Sequence, residues 1–142
     1  MKNLFKPDIN QQIRDFTLLF LRLSIGALLL THGYPKLLKI LGDGDIQFAS
    51  VFGMSPELSI TLAMSAEFLC NILVMLGLFT RFATIPIIFT MCVIVFIVEG
   101  SLPITQKELP ILYLISYIYI LFNGAGKHSI DNFIHIKLNK KR

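Results

Sequence analysis

Glu67 stands near the middle of a 22-residue run, Leu58 to Phe79, that carries no other charge. A run of that length can cross a bilayer, and a charged side chain at its centre costs about 2.5–3.5 kcal/mol unless it is paired or neutralised. Proton relay, recognition of a ligand and an internal ion pair are the chemistries open to such a carboxyl group. Arg22, inside the first apolar run, is the natural counter-charge, and hydrogen-bonding groups come from His32 just past that run, Asn71 on the run of Glu67, and Tyr113 and Tyr117 on the fourth. These six residues form the candidate intramembrane polar site. Lys36, Arg81 and Glu99 fall at the ends of apolar runs and are read as boundary charges.

Helical geometry, at about 100° per residue, sorts these groups into faces. Arg22, Gly26, Leu29, Gly33 and Lys36 share one direction, with His32 nearby. Ala63, Glu67, Cys70, Asn71 and Val74 share a second, and Tyr113, Ser116, Tyr117, Asn123 and Gly124 a third. Small-and-polar stripes of this kind point at one another in membrane bundles and leave Leu, Ile and Phe to lipid. Counting the rise from Asp15 and Thr80 puts Arg22 roughly 10 Å deep and Glu67 roughly 19 Å deep. A direct pair is then stretched, and water or Asn71 would bridge it; the alternative for Arg22 is to snorkel to the headgroups. His32 and Glu99 come out near the opposite boundary, within reach of Lys36.

The elements that must carry these stripes are four apolar runs, giving spans of about 16–34, 58–79, 82–98 and 109–124 in one domain of 142 residues, with a basic C-terminal tail over 127–142. Thr80-Arg81 is too short a link for anything but an antiparallel hairpin, and Ser55-Pro56 has the residue types of a helix cap and first position. With the N-terminus in the cytoplasm, that side holds Lys2, Lys6, Arg14, Arg81, Lys127, Lys137, Lys140, Lys141 and Arg142, against Lys36, Lys39 and Lys107 opposite. This bias predicts an all-α, four-helix transmembrane bundle of the inner membrane with both termini cytoplasmic.

Composition agrees: 54% of residues are hydrophobic and 15% charged, where soluble domains carry about 25% charge. The net charge of +4 arises from residues flanking apolar runs, so nucleic acid is not an expected partner. Cys70 and Cys92 sit in apolar runs without dithiol or zinc spacing, Asp43 and Asp45 lack the other ligands of a calcium loop, and no metal is expected. The first apolar run has no convincing cleavage site and is expected to remain as an anchor.

Several segments together resemble the DoxX family of small four-helix membrane proteins. They are R-L-x-I-G at Arg22 to Gly26, H-G-x-x-K at His32 to Lys36, A-E-F at Ala66 to Phe68, G-L-F-T-R at Gly77 to Arg81 and G-A-G-K-H-S-I-D at Gly124 to Asp131. The resemblance covers nearly the whole chain and implies an association with membrane redox chemistry, quinone-linked or oxidant-handling. It also implies that Arg22, His32, Lys36, Glu67 and Arg81 belong to a shared site. No haem ligand pair, flavin motif or dithiol is visible, so a soluble or membrane oxidoreductase partner would supply electrons, and whether the chain is itself an enzyme stays open. Three readings follow: a redox accessory subunit whose polar pocket takes a quinone, an assembly protein whose buried charges fix helix register, and a small-solute transporter acting as a homodimer.

Overall fold

The computed structural model describes residues 10–42 and 44–140; Lys2, Lys6, Lys141 and Arg142 of the charge bias and Asp43 of the Asp43/Asp45 pair lie outside them. Among the described residues all regular structure is helical: α1 (Gln11–Leu41), α2 (Pro56–Leu76), α3 (Thr80–Val98), α4 (Glu108–Asn123) and α5 (Ile130–Asn139), with a short 3₁₀ turn at Ile104–Gln106. The four apolar runs fall in α1 to α4. Helices α2 and α3 are long and apolar enough to cross a membrane by length and composition, while α4 is apolar but shorter. The segment read only as a basic tail holds α5.

Local chemistry sets the boundaries. Asn10 accepts from the Gln12 N–H at the start of α1, and Ser55 accepts from the Leu58 N–H at the start of α2, with Pro56 at the first position. Helix α1 continues past Pro35 to Leu41. Helix α2 ends in a left-handed residue, Gly77 at φ 71°, where the Gly77 N–H reaches the Val74 carbonyl and the Leu78 N–H the Leu73 carbonyl. That pairing satisfies two orphan carbonyls and turns the chain into α3.

Two stretches depart from α-geometry: Ser65–Cys70 within α2 and Ile94–Val98 at the end of α3 are π-helical. A π-turn re-aims the side chains around it and occurs often at functional sites. Glu67 sits in the first of these stretches.

Packing follows the small residues. Gly33 of α1 lies against Glu67, Gly26 against Asn71 and Met75, and Gly77 against Arg22, so α1 and α2 run antiparallel. A β-carbon on Gly33 would stand 2.8 Å from both the carbonyl carbon and the oxygen of Glu67. Backbone cannot move aside as a side-chain tip can, so Gly33→Ala is expected to part the helices and cost about 1–3 kcal/mol. Unfolding in mixed detergent micelles checks this; a change within about 0.5 kcal/mol of wild type would mean the crossing is slack.

The core joins Ile25 and Leu29 of α1, Val74 of α2, Ala83, Ile87 and Met91 of α3, and Tyr113, Tyr117 and Ile120 of α4. Arg22, Glu67, Asn71, Thr80 and Thr84 are also fully buried, whereas Phe20, Phe82, Phe96 and Phe122 are exposed. Charge inside and phenylalanine outside inverts the usual order of a water-soluble domain.

Candidate functional site

A cavity of about 500 Å³ lies between α1, α2, α3 and the first turns of α4, closed on one side by the loop residues Phe48 to Met54. Its wall is mainly apolar, with Leu29, Leu62, Ala63, Phe89, Ile94 and Leu109 among the lining residues. Five ionisable side chains converge on it, His32 and Lys36 from α1, Glu67 from the π-turn of α2, Glu99 after α3 and Tyr113 of α4, and Ser59, Thr90 and Gln106 add neutral hydrogen-bonding groups. Such a space, greasy with a few convergent polar groups, is the form of a small-molecule site.

Lys36 and Glu67 form an ion pair at the cavity's polar end. The Glu67 side chain is 2% exposed and that of Lys36 21%, so the carboxylate is withdrawn and the ammonium faces the open space. The Lys36 ammonium also donates to the His32 carbonyl at 3.3 Å, which folds the side chain back along α1. The His32 ring packs edge-on against Tyr113, with centroids 6.0 Å apart. Oε2 of Glu99 is buried and has no hydrogen-bond partner among the described residues.

Beneath the cavity, Asn71 ties three helices together. Its amide nitrogen donates to the Gly26 carbonyl at 2.8 Å, and its amide oxygen accepts from the Tyr117 hydroxyl at 2.6 Å. All three groups are buried and satisfied, which makes this link a rigid tie between helices rather than a place for a ligand.

Arg22 points the other way. It is fully buried, and Nη2 donates to the His128 carbonyl at 2.6 Å; Nε and Nη1 have no hydrogen-bond partner among the described residues. Asp131 stands close by. Its carboxylate accepts from the Phe79 N–H (2.8 Å), the Thr80 N–H (3.0 Å) and the Thr80 hydroxyl (2.9 Å), while its own N–H donates to the Gly77 carbonyl. Asp131 therefore caps α3 from a distant part of the chain, and its charge suits the positive end of that helix. Asp15, also buried, accepts from the Lys127 N–H. The segment from Gly124 to Asp131 is thus clamped to one end of α1, α2 and α3.

The six residues of the candidate polar site therefore divide. His32, Glu67 and Tyr113 meet at the cavity, Asn71 and Tyr117 lie outside its lining and bond to each other between the helices, and Arg22 belongs to the clamp. The stretched Arg22–Glu67 pair is not formed, and Arg22 does not snorkel: Lys36 takes the carboxylate and the His128 carbonyl takes the guanidinium. Of the boundary charges, Lys36 and Glu99 line the cavity, whereas Arg81 lies in a separate depression beside Asn123, Asp131 and His135. Cys70 and Cys92 are free thiols. Sequence reasoning missed Asp15 and Asp131. The signal for Asp131 was its place after Ser129, which caps α5 and leaves the next carboxylate in the first turn.

Comparison with known proteins completes the description. The DoxX family model matches residues 17–100, which include all the cavity-lining residues of α1, α2 and α3. An uncharacterized protein of Haemophilus influenzae (strain ATCC 51907 / DSM 11121 / KW20 / Rd) is 30% identical over 129 residues, covering 86% of this chain and 93% of that protein. No solved structure matches.

Proposed function

The chain belongs to the DoxX family of small membrane proteins, and from that footing we propose a four-span accessory protein of the inner membrane, both termini cytoplasmic, that binds a quinone in the Lys36–Glu67 cavity and serves a redox partner. The carrying observation is the pairing of a predominantly apolar cavity with a buried ion pair at its polar end. Topology is supported by the basic residues and by the clamp, which gathers Asp15, Arg22, Thr80 and Asp131 at one end of the helices while Lys36 and Glu99 lie towards the other.

The residues fit a quinone for three reasons. Phe89 and Val98 line the cavity and are also exposed on the outer surface, so the site borders the face that lipid would cover. The ring would lie among Leu29, Ala63 and Ile94, where its apolar area is removed from water. A carbonyl oxygen would accept from Lys36 and His32, with Tyr113 as a second donor; charge-assisted bonds of this kind are the strong ones. Reduction of a quinone held there to the quinol would need two electrons from the partner and two protons, drawn from water through the polar groups at this end of the cavity. Glu67, behind the Lys36 ammonium, holds that ammonium in place and is the group positioned to pass a proton.

Titration of a short-chain quinone into nanodiscs carrying the purified protein tests this. Wild type is expected to bind saturably, and Glu67→Gln to bind roughly tenfold more weakly, because the Lys36 ammonium that donates to the carbonyl is no longer held in place. Equal binding by the two proteins contradicts the reading. The Gly26–Asn71–Tyr117 link favours a second reading, in which buried polar groups only fix helix register. In that case quinone binding is absent while Lys36→Ala still destabilises the fold.

A further inference from the structure

We propose that α5 is an interfacial anchor, a basic amphipathic helix lying in the headgroup region of an anionic leaflet beside the clamped end of the bundle. Its two faces carry the argument. At about 100° per residue, Ile130, Phe133, Ile134, Ile136 and Leu138 spread over one side of the helix, and Asp131, Asn132, His135 and Asn139 over the other. The polar side is the one turned to the protein. Asp131 is fixed by its four hydrogen bonds to the α2–α3 turn, and Asn132 donates to the Lys127 carbonyl.

That orientation leaves the apolar side outward. Phe133 is 66% exposed and Leu138 63%, and α5 has no buried residue. A helix docked on its own bundle would be turned the opposite way, with its apolar stripe inward. Ten residues make a helix of only about 15 Å, too short to cross a bilayer.

Two observations select lipid as the occupant. Phe79 and Phe82, at the turn where Asp131 is anchored, are exposed as well, so the end of the bundle beside α5 also presents apolar side chains outward. Lys137 lies among the apolar residues, and Lys127 and Lys140 flank the helix. A basic fringe around an apolar stripe complements anionic headgroups above an acyl boundary. A second copy packed stripe to stripe would instead bring like charges together, since a two-fold interface presents the same patch on both sides.

The inference rests on the membrane-span reading, which alkaline carbonate extraction checks separately: release of the protein into the supernatant overturns both. The chain contains no tryptophan, so Phe133→Trp and Asn139→Trp each create a single reporter in the full-length protein. In phosphatidylglycerol-containing nanodiscs, Trp emission at position 133 is expected at short wavelength, quenched by brominated lipid and shielded from acrylamide, while position 139 stays wet. Adding Lys137→Gln and Lys140→Gln should shift the docked-to-lifted ratio by roughly fivefold per lysine. Water-like emission at 133 in a membrane-retained protein overturns the proposal. So does short-wavelength emission insensitive to brominated lipid, which would mean that protein covers the stripe.

Discussion

Lys36→Ala is expected to lower stability by about 3–5 kcal/mol, among the largest effects of any single change to a side chain in this protein. The loss is not that of a surface ion pair, which is worth little. Glu67 is nearly fully buried, and removing the ammonium leaves a carboxylate in an apolar wall with no counter-charge. Breaking a buried pair by deleting one partner costs that much, whereas replacing both partners by neutral groups of similar size is close to neutral. Lys36→Met combined with Glu67→Gln should therefore recover most of the stability while abolishing ligand binding. Reversible unfolding of the three variants in mixed micelles measures the coupling. A Lys36→Ala protein as stable as wild type would show that the pair contributes nothing.

Gly77→Ala should be nearly as damaging, for a different reason. Gly77 ends α2 at φ 71°, a conformation that costs an alanine about 1 kcal/mol or more. Its new β-carbon would also run into the Arg22 guanidinium and stand 2.6 Å from the Ser129 β-carbon. Strain and overpacking together amount to about 2–5 kcal/mol. The consequence is local as well as global, since Arg22 and Ser129 both belong to the clamp on the Gly124–Asp131 segment. Limited proteolysis at Lys127 and Lys137 should become faster in Gly77→Ala. Arg22→Ala in the same background removes one of the two collisions, so the double variant should lose less than the sum of the single losses. Strict additivity would show that Arg22 and Gly77 do not meet.

Much of this was legible in the sequence, because helical periodicity fixes faces. Of the three stripes, Arg22, Gly26, Leu29, Gly33, Glu67, Asn71, Val74, Tyr113, Tyr117 and Gly124 are buried, Lys36, Ala63, Cys70 and Ser116 are half-buried, and Asn123 is exposed. Partners were harder. Counting rise along each helix treats a side chain as level with its Cα, and by that count Arg22 is the nearer charge to Glu67. Side chains in fact lean towards the N-terminus of their helix. Since α1 and α2 are antiparallel, Glu67 leans towards the end where Lys36 sits, Lys36 leans back towards Glu67, and Arg22 leans away from both to meet the His128 carbonyl. The π-turn at Ser65–Cys70 left no trace in hydrophobic spacing, because Ala66, Phe68 and Leu69 suit either geometry. Asp131, though the last residue of the Gly124–Asp131 motif, is given no role by sequence reasoning because that role is tertiary: it caps a helix that begins fifty-one positions earlier in the chain.

The central claim is that the Lys36–Glu67 cavity holds a lipid-soluble carbonyl compound. A photoactivatable quinone analogue, irradiated with the protein in nanodiscs and mapped by peptide mass spectrometry, tests it most directly. Adducts concentrated on cavity residues such as Ala63, Ile94 and Tyr113, and displaced by excess unlabelled quinone, are the predicted result. Adducts spread over lipid-facing positions such as Leu69 and Phe122, unaffected by competitor, would contradict it.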